Sequence, residues 1–183
     1  MVGLSNGLNM DINMQSYKLC ALLALAGVVL VGCAIAKPVN LTSSFNAQEA
    51  RELTRPGVNI VSGSALIRQN GGGVVTCAGL QVLLIPKTAY AAERMRVIYG
   101  NTERGYNSVY RQVAFNPEIP EYQSINRSTL CDAQGHFSFD DVADGSFFVV
   151  SQIVWNVGGP QGGAVMQAVT VRGGESKQLV LSP

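Results

Sequence analysis

The sequence has little charge and a single histidine, and each scarcity excludes a class of function. Only 14% of the 183 residues are charged, and the formal net charge is +1. A protein that binds nucleic acid by electrostatics needs a basic patch or stripe, so we expect no nucleic-acid partner. The single histidine and the lack of a zinc-peptidase, Gly-x-Ser-x-Gly or phosphate-loop motif leave no catalytic set. We therefore expect a protein that is not an enzyme and that holds no cofactor or metal.

Glycine is abundant, with 20 residues, and together with many valines, threonines and serines it favours short strands joined by tight turns. Residues 129–155 show this most clearly. They predict a strand, a turn at residues 132–135, a second strand, a turn closed by Gly145, and a long third strand. Phe137 and Phe139 share one face of the second strand, which is the period-2 pattern of a half-buried strand.

The rest of the chain adds further strands and one change of period. Residues 88–99 carry apolar side chains at helical spacing and end at Gly100, which predicts one short helix. Residues 101–121 and 156–163 are interpreted as an extended loop or distorted edge and as a Gly/Pro loop. Other strands are predicted at residues 59–68, 74–77, 81–85, 122–130, 165–171 and 177–181. About seven short strands predict an all-β fold, a β-sandwich.

The first part of the chain is predicted to be a signal peptide. An apolar run of about a dozen residues, preceded by Lys18, is too short to cross a bilayer core of ~30 Å as a helix. It matches the apolar region of a signal-peptide helix, which gives a signal peptide over residues 1–32. Met14, which opens a compact basic segment, is an alternative start to Met1.

The run ends in Leu-Val-Gly-Cys at residues 30–33, which resembles a bacterial lipobox. The resemblance implies cleavage before Cys33, a diacylglyceryl group on its sulfur and acylation of the new amino terminus. The alternative is an ordinary signal peptide or an uncleaved anchor that has a cysteine there by chance. Ala34, rather than aspartate, follows the cysteine, and by analogy this favours sorting to the outer membrane. Residues 33–57 are polar, contain prolines and are interpreted as the lipidated cysteine and a flexible tether that includes a turn or two of helix.

The remaining two cysteines are expected to pair. With Cys20 in the signal peptide and Cys33 lipidated, Cys77 and Cys131 are left in the exported domain, and an oxidising envelope favours a disulfide between them. A loop of that length would stabilise the fold by roughly 4 kcal/mol. The alternative is two buried free thiols that never meet. Two cysteines without companion histidines make a poor zinc site.

The central stretch carries a family resemblance. Its pattern is Thr129, Asp132, Gly135, Phe137 and Phe139, followed by Val142, Gly145, Phe147 and Val149. This resembles the carboxypeptidase regulatory-like domain, a transthyretin-like (prealbumin-like) sandwich, and the match extends over the predicted domain, residues 58–183. The departure from the family pattern is an insertion at residues 86–121, which is longer and more aromatic than the usual connection.

That insertion is where we expect a binding surface, because tyrosine and arginine are enriched at interface hot spots and suit stacking on sugars or peptides. The alternative is that the tyrosines cover the sandwich edge or pack the helix. The candidate binding residues are Tyr90, Arg94, Tyr99, Tyr106, Tyr110 and Arg111.

Together these patterns predict a non-enzymatic lipoprotein of the cell envelope whose β-sandwich is a binding or assembly module. We expect it to be anchored to the bacterial outer membrane, facing the periplasm, with a carbohydrate or an envelope protein as partner. The alternative is a structural lipoprotein subunit of an envelope-spanning secretion or transport machine.

Overall fold

The computed structural model describes residues 37–183, and within them the chain forms three helices and nine strands. The predictions for the signal peptide and for Cys33 lie outside these residues. The helices are α1 (Ala47–Thr54), α2 (Ala89–Tyr99) and α3 (Pro120–Ser124). The strands are β1 (Asn59–Arg68), β2 (Val74–Thr76), β3 (Gln81–Pro86), β4 (Arg104–Ser108), β5 (Arg127–Leu130), β6 (His136–Val142), β7 (Gly145–Asn156), β8 (Pro160–Val171) and β9 (Ser176–Leu181). No helix in the described part of the chain has the length and apolar character needed to cross a membrane.

Two sheets pack face to face, which confirms the predicted all-β sandwich. In the first sheet, β1 pairs antiparallel with β6 and β2 and parallel with β9. The second sheet is antiparallel throughout, with the order β4-β8-β7-β3-β5. The side chains between the sheets form the main core, in which Phe137, Phe139, Phe147 and Ile153 are buried.

The strands of residues 129–155 form as predicted, but they alternate between the two sheets. β5 and β7 both pair with β3 in the second sheet, whereas β6, which lies between them in sequence, pairs with β1 in the first. The turn after β5 is held by Asp132, whose carboxylate accepts hydrogen bonds from the backbone N–H groups of Gln134 and His136. These bonds lower the pKa of Asp132.

The predicted disulfide is confirmed. Cys77 is bonded to Cys131, with the two Cα atoms 5.7 Å apart. Cys77 follows β2 of the first sheet and Cys131 follows β5 of the second. The bond therefore joins the two layers of the sandwich along one side.

Residues 37–57 are part of the folded domain, which corrects the prediction of a flexible tether for this segment. Leu41 and Phe45 pack with α2 on the outer face of the second sheet. The backbone N–H of Val39 donates to the carbonyl oxygen of Ala114 at 2.8 Å. The apolar side chains are too widely spaced to form a periodic pattern, so the sequence resembled a linker although these residues are half-buried.

Glu93 of α2 holds the same segment by its carboxylate. It accepts hydrogen bonds from the backbone N–H and the hydroxyl of Thr42, at 2.8 and 2.9 Å, and from the backbone N–H of Ser43 at 2.7 Å. These bonds favour the charged form and lower the pKa of Glu93 to about 2.

Two local predictions differ from the structure, and a third agrees with one of its two interpretations. Tyr122 lies in the short helix α3, which begins at Pro120, a residue that suits the first turn of a helix. The strand predicted for residues 122–130 therefore starts only at Arg127. β8 begins at Pro160, and a tight hairpin therefore replaces most of the Gly/Pro loop predicted for residues 156–163. The segment interpreted as a loop or distorted edge contains β4, a short edge strand paired with β8.

Candidate functional site

The predicted binding residues divide into a buried group and an exposed group. Tyr90 and Arg94 of α2 are only 3% and 8% exposed, so neither is available to a ligand at the surface. Tyr90 belongs to a second core, in which α2 covers part of the outer face of the second sheet, and Arg94 packs against the rings of Tyr90 and Tyr122 there. For these two residues the alternative interpretation, packing of the helix, is correct.

Arg94 connects α2 with the segment before α3. Its Nη1 lies 3.0 Å from Glu118 Oε1, and its guanidinium stacks over the rings of Phe115 and Tyr122, at 3.9 and 4.7 Å from their centroids. An ion pair enclosed by aromatic faces satisfies the buried charge and fixes both segments. The role that the geometry supports for Arg94 is structural.

Tyr99 and Arg111 also contact the protein itself. Tyr99 packs against Gly105 of β4, where an added Cβ would lie 2.5 Å from the Tyr99 Cβ, and burial raises the pKa of the Tyr99 hydroxyl. Arg111 donates from Nη2 to the carbonyl oxygen of Val97 at 3.2 Å. Both residues join α2 to the chain around β4.

Tyr106 and Tyr110 are different, because both line an open groove of about 650 Å³. The groove is formed by the β1–β2 hairpin of the first sheet and by β4, its following turn and the β7–β8 hairpin of the second. We call it the aromatic groove. Its main lining residues are Ile67, Arg68, Gln69, Asn70, Tyr106, Ser108, Tyr110, Trp155, Val157, Gln161 and Gly162.

The register places the groove at one end of the space between the two sheets. Trp155 pairs with Gln161, and two residues further along these strands Ile153 pairs with Gly163. Since Ile153 is in the main core and residues two apart share a face, Trp155 is on the core-facing side of its strand. The groove therefore lies at the open end of the space between the two sheets, next to the part of that space that apolar core side chains fill.

Trp155, the only tryptophan in the chain, is held in a defined orientation. Its Nε1 donates to Gln161 Oε1 at 3.1 Å, and Gln161 Nε2 donates to the carbonyl oxygen of Val157 at 3.0 Å. Gly162 has φ +90°, and an added Cβ there would lie 2.6 Å from Cζ3 of the indole ring. Only glycine allows this close approach of backbone and ring without strain.

The two tyrosines are held to different degrees. Tyr106 is 37% exposed, and its hydroxyl donates to the carbonyl oxygen of Gly162 at 2.8 Å. Tyr110 is 73% exposed and lies within a turn that the Arg111 backbone N–H closes by donating to the carbonyl oxygen of Ser108. The groove thus contains two fixed rings and one largely exposed ring.

The opposite side of the groove is polar. The hairpin that follows β1 is closed by hydrogen bonds from Gln69 N to Gly73 O at 2.8 Å and from Gly72 N to Gln69 O at 2.9 Å. It presents Arg68, Gln69 and Asn70 to the groove. The lining has no carboxylate, imidazole or thiol, so it offers hydrogen-bonding amides, aromatic faces and one cation.

A second concave surface lies on the outer face of the second sheet, beyond the part that α2 covers. This apolar hollow, of about 500 Å³, is lined mainly by Leu83, Val109, Val150, Val154 and Ala164, together with the polar Gln81 and Gln152.

Metal-binding geometry is not found in the described residues. Among residues 37–183, no three His, Cys, Asp or Glu side chains are grouped so as to hold a metal ion. His136 is exposed on β6, with its Nδ1 3.5 Å from Asp132 Oδ2.

Sequence reasoning identified two residues of the aromatic groove and missed the others. Trp155 and Arg68 are each predicted at the end of a strand, with no binding role assigned to them. Gln161 lies in the segment interpreted as a Gly/Pro loop, and Gln69 and Asn70 lie between two predicted strands. The lone tryptophan at the end of a long strand, next to a Gly/Pro turn, was the signal in the sequence that pointed to this end of the sandwich.

Comparison with known proteins gives a fold neighbour but no family. No family model matches the sequence, and no curated protein matches it. The chain is similar to the crystal structure of a putative carbohydrate binding protein from Pseudomonas aeruginosa, with a TM-score of 0.63 and 21% sequence identity. The similarity covers 77% of this chain and 99% of that protein. The two proteins therefore share the β-sandwich fold.

Proposed function

We propose that this protein is a non-enzymatic carbohydrate-binding module, anchored by lipid in the bacterial cell envelope, and that the aromatic groove is its binding site. The observation that carries the proposal is the combination of Tyr106, Tyr110 and Trp155 with amide side chains along one open groove.

This combination suits sugars for a physical reason. A sugar ring has C–H faces that stack on aromatic rings and hydroxyl edges that need hydrogen-bond partners. Ligand sites of this kind place a few polar groups among apolar and aromatic walls. Trp155 and Tyr106 are held by their own hydrogen bonds, so binding would cost little side-chain entropy at these positions.

The solved relative supports the same class of ligand. The Pseudomonas aeruginosa protein is described as a putative carbohydrate binding protein, and its whole length is matched by this chain's sandwich. The proposal takes from it the class of ligand, while the location of the site comes from the groove in this chain.

The non-enzymatic part of the proposal is supported by the groove lining. Glycoside hydrolysis ordinarily uses two carboxylates on either side of the scissile bond. The groove residues include neither aspartate nor glutamate, so they offer recognition without an acid and base pair.

The location in the envelope is supported by the lipobox at Cys33 and by the disulfide. The Cys77–Cys131 bond suits an oxidising compartment such as the bacterial periplasm. We place the protein on the outer membrane facing the periplasm. The resemblance to the carboxypeptidase regulatory-like domain is retained as part of this proposal.

Affinity electrophoresis tests the binding site. The protein is run through native gels that contain neutral or uronate-bearing polysaccharides, and retardation by at least one of them is expected. Trp155→Ala and Tyr110→Ala should each weaken the affinity by about tenfold, which is typical of an aromatic hot spot. Leu130→Ala, which removes an exposed apolar side chain from the opposite edge strand, should leave the affinity unchanged. Equal effects of all three substitutions would contradict the assignment.

Membrane fractionation tests the anchor. Cys33→Ser should move the protein from the membrane fraction to the soluble fraction and abolish labelling by an alkyne fatty acid, because the Cys33 sulfur is the atom that carries the diacylglyceryl group. Cys20→Ser is the matched control and should change neither result. Persistent labelling of the Cys33→Ser protein would overturn the lipoprotein assignment.

A second candidate function is a structural subunit of an envelope machine, which the apolar hollow favours. Exposed apolar concavities mark protein contacts as well as ligand sites. Val150→Asp introduces a charge into the hollow and should abolish cross-linking to an envelope protein if this function holds. Polysaccharide affinity would remain if the groove is the functional site.

A further inference from the structure

The charge inventory of the aromatic groove points to the kind of carbohydrate that it binds. Arg68 is the one charged side chain in the lining at neutral pH. It is exposed, at the end of β1 where the hairpin begins. Among residues 37–183 its guanidinium has no ion-pair partner and no hydrogen bond.

Several other arginines of the described chain contact the protein itself. Arg94 pairs with Glu118, Arg127 donates to the carbonyl oxygens of Asp140 and Asp141, and Arg104 donates to Gln167. These contacts give those arginines a structural role. Arg68 has none, and it stands beside two amide side chains in a groove with aromatic rings.

We propose that the aromatic groove binds an anionic glycan, one with uronic-acid residues, and that Arg68 binds the sugar carboxylate. This inference rests on the proposed carbohydrate function and specifies its ligand class. The planar guanidinium presents paired N–H donors that match the two oxygens of a carboxylate. The absence of aspartate and glutamate from the lining removes the repulsion that such a ligand would otherwise meet.

Arg68 lies on the side of the groove opposite the aromatic rings. The aromatic rings are contributed by β4, the turn after it and the β7–β8 hairpin, whereas Arg68, Gln69 and Asn70 come from the other sheet. A sugar ring stacked on the aromatic side therefore turns its substituents toward the cation and the amides. An exocyclic carboxylate provides the acceptor that Arg68 lacks.

A matched pair of ligands tests the inference. The full chain, in a detergent without a sugar headgroup, is titrated with tetragalacturonate and with the same tetramer as its methyl ester. The two ligands have the same sugar backbone, and in the ester each carboxylate is replaced by a neutral methyl ester. The free acid should bind about two- to fivefold more tightly, the range for an exposed ion pair, and added salt should reduce the difference.

Arg68→Gln should remove the preference for the acid while leaving affinity for the ester unchanged. Arg96→Gln is the matched control, because Arg96 is an exposed arginine on α2 outside the groove, and it should keep the preference. Equal affinity for acid and ester in the unmodified protein overturns the inference but leaves carbohydrate binding in place. Failure to bind either ligand, or the corresponding glucuronate pair, also overturns the inference. The carbohydrate function is overturned as well only if no polysaccharide, neutral or uronate-bearing, retards the protein in the native gels.

Discussion

Asn59 is a buried polar residue that holds two turns of the sandwich, and its removal provides a sharp test of the fold. Its side chain is fully buried at the start of β1. Nδ2 donates to the carbonyl oxygen of Val142 at 2.9 Å and to Asp144 Oδ1 at 2.8 Å. Oδ1 accepts from the backbone N–H groups of Gly174 and Glu175, both at 2.8 Å. One amide thus connects β1 to the β6–β7 turn and to the β8–β9 turn.

The magnitude follows from the groups left without partners. Asn59→Ala removes all four hydrogen bonds. The Glu175 N–H still donates to the Arg172 carbonyl oxygen, and the Asp144 carboxylate still accepts from the Gly173 N–H. The Val142 carbonyl oxygen and the Gly174 N–H are the two groups whose loss is not replaced in this way. A buried polar group left unsatisfied costs about 1–3 kcal/mol. The turn around Gly174 is exposed enough for water to replace part of this loss, so we use the lower end for each group. The free energy of unfolding should fall by about 2 kcal/mol.

Urea denaturation followed by far-ultraviolet circular dichroism measures this change. The midpoint should fall without a change in the slope, because the surface exposed on unfolding stays the same. Asn156→Ala is the control, since Asn156 is exposed at the end of β7 and should cost less than about 0.5 kcal/mol. A loss below about 1 kcal/mol for Asn59→Ala would refute the claim that this amide holds the two turns.

Asn59→Asp distinguishes the role of the accepting Oδ1 of Asn59 from that of the donating Nδ2. The aspartate keeps an oxygen for Gly174 and Glu175 but places a second oxygen against the Val142 carbonyl and the Asp144 carboxylate. Burial and the neighbouring charge should raise the pKa of the new carboxyl group. The folded state therefore favours its protonated form, and the stability deficit relative to wild type should be largest near neutral pH and shrink in mild acid. A deficit that does not depend on pH would contradict this geometry.

Two further predictions concern the disulfide and the amino-terminal segment. Replacing Cys77 and Cys131 together by alanine should lower the free energy of unfolding by roughly 4 kcal/mol, because the unfolded chain regains the entropy of a loop with a sequence separation of 54; a calorimetric loss near zero would contradict the cross-linking role. The Glu93 carboxylate, whose pKa is lowered from 4.5 to about 2, should stabilise attachment of the segment above pH 4.5 and lose this contribution as the pH falls towards 2. The protection factor of the Thr42 amide, that is, its hydrogen exchange relative to the intrinsic rate at each pH, should therefore fall over that range, and an unchanged protection factor would refute the contact.

The fold was predictable where the signal is local. The alternation at Phe137 and Phe139 predicts β6, and Asp132 predicts the turn that precedes it. Both signals depend only on neighbouring residues. The Cys77–Cys131 bond was found by elimination, because the other two cysteines had assignments of their own. α2 was found from its helical spacing and its terminal Gly100, which has a positive φ of 84°.

The tertiary placement of polar and aromatic residues was not predictable in the same way. Tyr90 and Tyr110 belong to the same tyrosine-rich insertion, yet Tyr90 is buried between α2 and the second sheet, whereas Tyr110 is exposed in the groove. Composition cannot separate them, because burial depends on which face of the second sheet each reaches. The groove itself combines residues 68–70, 106–110 and 155–162, which are distant in sequence and meet only when the two sheets pack.

The most direct test of the central claim is the fluorescence of Trp155. The chain has a single tryptophan, and it lines the aromatic groove, so its emission reports this site alone. The full chain is titrated with an oligosaccharide of the polysaccharide that retards it in native gels. The emission of Trp155 should change until the site is saturated, and the indole should become protected from acrylamide quenching. The affinity from this titration should equal the affinity from electrophoresis. An oligosaccharide that binds by electrophoresis but leaves the emission and quenching of Trp155 unchanged would place the binding site elsewhere and contradict the account.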